Sequence, residues 1–350
     1  MSRNQILSQE IPGFFFTLYP HSEYLRKKVK FADMEIPGML KPKTSNRYVS
    51  NLLSAIKVKP MKVSGTIGGV KDIQVDMSAW DNKSLLSPGE TNAKTSKNWR
   101  RSFILYLTPA SKSGTNLCPM ATPGCIFSCL NTAGRGAMKN VSEARLMRTK
   151  FYLQFEQKFM EILTRDITKY AKSTPRKKYK IADEVAFRLN GTSDIPILEM
   201  LNKGGYLDQI KKAVPNATKR IVFYDYTKFP NRAGVHNVGG FQYYVTFSRA
   251  ENYTDKSGKF HDNGMEAINQ LSKGRCVAVV FNRILPKFWM DYKVLDGDDR
   301  DDLMIDVYRQ GDKYGNVLGL KAKGKAKKPK AGEFVVDCSA KSNQESCYII

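Results

Sequence analysis

RSFILYLTP, residues 101–109, reads as a buried strand, because five apolar residues run together from Phe103 to Leu107. Four more runs of the same texture follow: EVAFRLN (184–190), RIVFYDY (220–226), QYYVTFS (242–248) and RCVAVVF (275–281). Helical patterns lie between them. VSEARLMRTKFYLQFEQKFMEILTRDITKYA, roughly 141–171, spaces Leu146, Phe151, Leu153, Phe155, Phe159 and Ile162 as one face of a long helix, and shorter helical stretches read near 195–213 and 264–273. Strands that alternate with helical crossovers predict an α/β fold, a partial (β/α) barrel or a parallel sheet, over residues 101–350.

Residues 1–100 have a different texture and read as an irregular basic N-terminal region. LRKKVKF (25–31), LKPKTSNRYVSNLLSAIKVKPMKV (40–63) and TNAKTSKNWRR (91–101) set cations among apolar residues, with Tyr24, Tyr48 and Trp99 in or beside them. Such aromatics can stack on bases while the cations neutralise phosphates, or can turn inward beneath a solvated basic surface. The whole chain of 350 residues carries 57 Lys and Arg against 33 Asp and Glu, a net charge of +24. An excess of that size implies a polyanionic partner, nucleic acid first. The N-terminal apolar patch is cut by Pro12 and Gly13, so neither a signal peptide nor a membrane span is expected, and the expected location is a reducing cytoplasm without a membrane partner.

Three of the six cysteines fall in NLCPMATPGCIFSCLNTAGRG (116–136): Cys118, Cys125 and Cys129, spaced Cys-x6-Cys-x3-Cys. Pro119, Pro123 and Gly124 supply turns that can fold the three thiolates toward one centre. An iron-sulfur cluster with one iron left open needs three such ligands. Zinc needs a fourth, from Cys276, Cys338, Cys347 or a distant histidine, and three buried reduced thiols that merely pack are the remaining possibility. Disulfides are not expected in this setting. The terminal Cys347-Tyr348-Ile349-Ile350 resembles a prenylation box only at the level of a chance match.

In α/β folds the residues that follow each parallel strand gather at one rim, where ligands bind. After the first strand comes the cysteine loop, after the second Asn190 and then Gly191, Thr192, Ser193 and Asp194, after the third Tyr226-Thr227-Lys228, and after the fourth Ser248-Arg249. Gly191 would let backbone approach a ligand, Asp194 could hold an amine or a ribose hydroxyl, and Lys228 or Arg249 a carboxylate or phosphate. The same residues also make ordinary strand-ending turns.

A cysteine triad after the first strand and a glycine-bearing polar segment after the second resemble the radical S-adenosylmethionine enzymes. The resemblance implies a 4Fe-4S cluster on Cys118, Cys125 and Cys129. It further implies S-adenosylmethionine bound near Gly191–Asp194 and a reductant protein that supplies the electron. The spacing departs from the Cys-x3-Cys-x2-Cys of that superfamily. NLCPMATPGCIFSCLNTAGRG, FRLNGTSDIP (187–196), FYDYTK (223–228) and GNVLGLKAKGKAKK (315–328) are more similar to a phage-encoded group, the gene product eighty-eight domain family, over roughly residues 100–340. That second resemblance implies a phage or plasmid setting and the cytoplasm of an infected bacterium, and no activity.

Two charged segments remain. VLDGDDRDD (294–302) gathers five aspartates, and Asp298 and Asp299 could hold a divalent cation for phosphodiester chemistry, although an acidic turn accounts for the run as well. LKAKGKAKKPKAG (320–332) spaces six lysines with small residues and reads as a flexible phosphate-contacting arm or a solvated linker. His21, His236 and His261 are dispersed, and no phosphate-cradling loop or nucleophile elbow is present. The leading expectation is an iron-sulfur enzyme acting on nucleic acid or a nucleotide. The alternative is a nucleic-acid-binding replication or host-takeover factor with a structural zinc or cluster, and a metal-dependent nuclease on the aspartates is third.

Overall fold

The computed structural model describes residues 75–173, 178–338 and 346–348. The basic runs at 25–31 and 40–63, with Tyr24, Tyr48 and His21, lie outside them. Strand β1 (Leu86–Pro88) edges the sheet, antiparallel to β2 (Arg101–Leu105). From β2 the sheet continues through β3 (Val185–Arg188), β4 (Ile221–Thr227), β6 (Phe241–Ser248), β9 (Val277–Phe281) and β12 (Val317–Lys321), each parallel to the one before. From β2 to β12 strand order follows chain order, which is the winding of a (β/α) barrel, and it reverses only beyond β12. The ends of the path do not pair among the described residues, so the sheet is open.

The far edge was not foreseen. β11 (Tyr292–Asp296) lies parallel beside β12, β10 (Phe288–Trp289) is antiparallel to it, and β13 (Ser346–Cys347) closes the path. β5 (Gly234–Val238) returns antiparallel on β6 through Gly239 and Gly240, whose φ values of 60° and 91° suit a tight hairpin that only such residues make at low cost. A separate two-stranded ribbon joins β7 (Tyr253–Thr254) to β8 (Phe260–His261).

Alternation along the strands sorts the core. Phe103, Leu105, Val185, Phe187, Ile221, Phe223, Tyr243 and Val245 face one side, together with helices α2 (Lys139–Gln154), α3 (Glu156–Lys172), α4 (Ile197–Lys203) and α5 (Tyr206–Ala213). Each fully buried side chain of this size contributes about 1.5–3 kcal/mol. Trp80, Leu85 and Leu86, from the stretch read as irregular, pack into this same cluster. α6 (Ala217–Arg220) leads into β4, and α7 (Asn263–Ser272), capped by Asp262, packs Ala267 and Leu271 on Phe247, Val277 and Val279.

The helix read over 141–171 is two helices. Phe155, at φ −137° and ψ 55°, ends α2 and re-aims α3, so that Phe151, Tyr152, Phe155 and Phe159 meet in one aromatic cluster. A straight helix would carry Ile162, Leu163 and Ile167 away from the sheet they bury against. The stretch 195–213 likewise divides at Gly204-Gly205, where Gly205 takes φ 74°.

On the opposite face lies α8 (Leu303–Gln310), whose Met304, Ile305 and Val307 meet Ala186, Val222, Tyr224 and Tyr244. Its start is held by a buried ionic network. Arg100, 1 % exposed, binds Glu184 through Nε at 2.6 Å and Asp306 through Nη2 at 2.7 Å, with Asp302 3.4 Å from Nη1. Arg300 binds Asp302 and Asp306 at 2.8 and 2.6 Å, and Arg309 binds Glu184 at 2.9 Å. Three guanidiniums thus meet three carboxylates, and the backbone amides of Trp99 and Arg100 donate to Asp302 as well.

The aspartate run is an acidic turn rather than an open cation site. Asp301 and Asp302 of the acidic run are buried in ion pairs, while Asp298 pairs with Lys323 at 2.7 Å and Asp296 with Lys321 at 3.8 Å. The lysine-rich segment is no flexible arm: it completes β12 and then forms two 3-10 helices, Gly324–Lys327 and Pro329–Phe334, that bury Ala322, Ala326 and Ala331. Its alanines alternate with lysines so that one side packs while the cations stay in water. Cys338 and Cys347 form a disulfide, contrary to expectation, so neither is a free thiol for a metal or a prenyl group. Among the described residues no helix is long and apolar enough to cross a membrane.

Removing Arg100 takes a partner from the buried Asp302 and from the half-buried Glu184 and Asp306. Arg100→Ala is expected to cost about 3–5 kcal/mol of stability in urea unfolding. Arg309→Ala, at the half-exposed edge of the same network, is expected to cost under about 1 kcal/mol. Equal losses would show that burial of the charge is not what anchors α8.

Candidate functional site

The residues that follow β2, β3, β4 and β6 meet at one rim. The cysteine loop leaves β2 and is pinned by Thr108, whose amide donates to Thr149 of α2 at 2.8 Å. Leu117 O accepts from the Asp194 amide at 2.8 Å, and Leu105 O from the Gly191 amide at 2.9 Å, so the loop and the segment after β3 hold each other. Thr192 Oγ1 donates to Leu107 O, and the Cys118 thiol lies 3.7 Å from Thr192 O. Gly191 is required sterically: a Cβ there would stand 2.5 Å from the Tyr106 ring and 2.7 Å from Ile104.

Asp194 is consumed in joining strand ends. Its carboxylate accepts from Thr227 Oγ1 at 2.9 Å, the Lys228 amide at 2.7 Å and Arg232 Nη1 at 2.9 Å. Burial pushes its pKa up, against the pull of Arg232. Lys228 Nζ is donated to Ser248 O and Oγ, both at 2.8 Å, and to Arg249 O at 3.1 Å. Ser193 Oγ donates to Asn190 Oδ1 at 3.0 Å. The residues singled out after β3, β4 and β6 therefore share one hydrogen-bonded rim, and most of their polar atoms are occupied within it.

A short helix, α1 (Pro123–Ser128), carries the second cysteine, and the third, Cys129, follows it as the C-cap residue. Thr122 caps it by accepting from the Cys125 amide at 3.2 Å, and Pro123 takes the first position, where no amide is needed. Glu251, after β6, accepts from the Gly124 amide at 2.5 Å and from Thr122 Oγ1 at 2.7 Å. Any Cβ at residue 124 would collide with that carboxylate at 2.7 Å. Cys129, at φ −51° and ψ 136°, has already left the helical conformation.

All three thiols are free and half-buried. Burial pushes Cys118 up to about 12, with Cys129 and Cys125 among the charges that add to it. Burial also raises Cys125, which Lys228 partly offsets. Thiols raised in this way, as Cys118 and Cys125 are, make poor nucleophiles near neutral pH. As soft donors they suit a cluster or zinc in chemistry. In position they do not, since among the described residues no group of three or more His, Cys, Asp or Glu could hold a metal ion. Cys276 is buried beside Tyr308, His236 is bonded to Arg232 O and His261 to Asp255, so none of them joins the triad.

Of the arginines near this rim Arg232 pairs with Asp194, whereas Arg145, Arg148 and Arg249 are in no ion pair among the described residues. Arg188 and Lys94, close by on the α8 face, both pair with Asp301, at 3.1 and 2.9 Å. Arg249 is 3 % exposed, donates Nη1 to Glu333 O at 2.8 Å, and has no partner at Nε. Burial lowers it to about 10, while Glu251 and Glu333 act on it from beyond ion-pair contact. Arg145 and Arg148 on α2 also hold buried nitrogens without partners. Lys325 and Lys330 extend over the Phe127 ring of α1, 5.7 and 5.6 Å from its centroid.

Glu251 and Arg232 escape sequence reading because their partners are remote in the chain, and Arg145 and Arg148 because the lack of a counter-charge leaves no mark in the sequence. The one local signal is the three-residue spacing of Arg145 and Arg148 in a helical stretch. Trp99, offered as a base-stacking residue, already carries Arg300 at 3.8 Å and Lys180 at 4.4 Å over its ring.

Asp225 of β4 gives the site a measurable pH dependence. Burial lifts its pKa from 3.8 to about 7, although the Asn190 amide and side chain and the Tyr243 hydroxyl donate to it. Between those values the folded state holds a proton that the unfolded chain has lost. The stability this group contributes is present below about pH 4 and is lost as pH rises through 7. Urea unfolding is expected to show a decline on the order of 4 kcal/mol across that window, which Asp225→Asn flattens. Compared with known proteins, no curated protein and no solved structure matches this chain. A family model described as gene product 88 matches residues 81–337.

Proposed function

Since this chain belongs to the gene product 88 family, we propose that it is a phage protein of the infected cell's cytoplasm, binding nucleic acid or a nucleotide across the cysteine-bearing rim. The observation that carries this reading is the partition of charge. At the α8 end of the sheet three guanidiniums are matched by three carboxylates, whereas at the rim Arg145, Arg148 and Arg249 are in no ion pair among the described residues. Of the six lysines in 320–332, Lys325, Lys327, Lys328 and Lys330 are exposed and in no ion pair either, while Lys321 and Lys323 are paired. A rim cation left without a counter-charge is available to a phosphate, and the neighbouring α1 places Phe127 among the lysines.

A second reading makes the rim the site of an iron-sulfur cluster, with S-adenosylmethionine as cofactor and an external reductant, as in the radical S-adenosylmethionine enzymes. It is favoured by three free thiols on one loop, each within the electrostatic reach of the others and none in a disulfide. Binding would have to draw Cys118, Cys125 and Cys129 together. A structural zinc makes the same demand on the loop.

Binding of a short oligonucleotide to the full chain is expected to weaken steeply with salt. Lys325→Ala with Lys330→Ala is expected to reduce the slope of log affinity against log salt by roughly 1–2. Affinity indifferent to salt would remove the polyanion reading. For the second reading, anaerobically purified protein is expected to carry iron and sulfide, with a paramagnetic resonance spectrum altered by S-adenosylmethionine. Loss of the metal is expected in Cys118→Ala, Cys125→Ala or Cys129→Ala. Stoichiometric zinc would make the loop structural, and protein without any metal would leave the thiols as packing groups.

A further inference from the structure

Arg145 is 8 % exposed, yet its Nε and Nη1 are buried without a hydrogen-bond partner. One turn on, Arg148 holds a buried Nε in the same condition. Residues three apart on a helix are neighbours on one face, so two positive charges stand side by side. Neither is in an ion pair among the described residues, unlike Arg100, Arg188 and Arg300. Burial lowers the pKa of both, Arg145 adding to the effect on Arg148. The groups that act on Arg145 in the other sense, Tyr106 and Cys129, are a phenol and a thiol rather than carboxylates.

Such an arrangement is costly. A buried guanidinium without acceptors keeps the desolvation penalty with nothing to offset it, and a like charge beside it adds repulsion. An anion that supplies several acceptors reverses both. Guanidinium groups present paired N–H donors that match the oxygens of phosphate, and two of them balance the double charge of a phosphate monoester, where an internal phosphodiester carries a single charge.

The position also points to the rim. The Arg145 guanidinium carbon lies 4.9 Å from the centroid of the Tyr106 ring, directly after β2, and that ring closes on Gly191 after β3. Cys129 is near enough to act on Arg145 electrostatically. We propose that Arg145 and Arg148 form the seat of a terminal phosphate, a phosphate monoester carried by a nucleotide or by the end of a nucleic-acid strand, beside the cysteine loop. This deepens the nucleic-acid or nucleotide reading above and rests on it for the class of ligand.

The test compares a short single strand bearing a 5′-phosphate, the same strand with a 5′-hydroxyl, and a nucleoside monophosphate, on full-length wild type, Arg145→Gln and Arg148→Gln. Wild type is expected to prefer the phosphorylated strand by at least about tenfold. Either variant should lose that preference, while affinity for the hydroxyl-ended strand falls by a smaller factor, as expected for one lost cation, and remains salt-dependent. Monophosphate binding that the substitutions abolish, without strand binding by any protein, would retain the seat for a free nucleotide and defeat the nucleic-acid part of the reading above. Equal affinity for the two strands with no monophosphate binding would overturn the seat and leave that reading standing. A preference that survives both substitutions would overturn the assignment to these residues. Urea unfolding checks that the variants fold, and Arg148→Gln, at a half-buried position, decides the matter if Arg145→Gln does not fold.

Discussion

Burial of the Arg100 guanidinium is the interaction on which the second face of the sheet depends. A parallel sheet needs cover on both sides, and here one side is covered by a succession of crossover helices while the other has α8. α8 is short, eight residues, and non-directional apolar contacts do not by themselves fix where along the sheet it sits. What fixes its position is that Asp302 and Asp306, at its N-terminal end, share Arg100 and Arg300, with Arg309 and Glu184 completing the balance. Acidic residues at a helix N-terminus are favourable in themselves, and here they also neutralise guanidiniums that could not otherwise leave water.

Two adjacent aspartates then serve different parts of the fold. Asp302 faces the strand starts, while Asp301 accepts from Arg188, Lys94 and the Tyr224 hydroxyl along the sheet. Those cations hold Asp301 well below the usual carboxylate range despite its burial. The acidic run therefore acts as an internal counter-charge, and the lysine-rich segment takes up part of the rest through Lys321 and Lys323. Charge matching is incomplete at the rim. There Asp194 pairs with Arg232 and, like Glu251, ties loops together, while Arg145, Arg148 and Arg249 remain without ion pairs among the described residues, a distribution expected where an anion is to be bound.

Much of the scaffold was legible in the chain. Five apolar runs became β2, β3, β4, β6 and β9 with ends moved by a few residues, because each is nearly continuous and cannot be solvated on either side. The meeting of Gly191–Asp194, Lys228 and Ser248-Arg249 with the cysteine loop was also readable, since parallel strands wound in one sense must deliver their following residues to the same rim. The helix break at Phe155 was not, because periodicity records which residues are apolar and not where the sheet they must cover lies. The hairpin of β5 was missed although Gly239-Gly240 marks it, and the short strands at the far edge carry too few residues to show a pattern.

Sequence by itself determined the α/β class, the parallel order of the strands, the excess of positive charge and the presence of three cysteines on one loop, all properties of local pattern or composition. Only the tertiary structure decided which cations are spent and which remain. It did so because an ion pair forms between groups close in space, as Arg100 and Asp302 are, however far apart they lie in the chain. The same reason separates the cysteines: Cys338 and Cys347 are joined to each other, whereas Cys118, Cys125 and Cys129 stay free thiols on the loop that Glu251 holds from the far side of the rim.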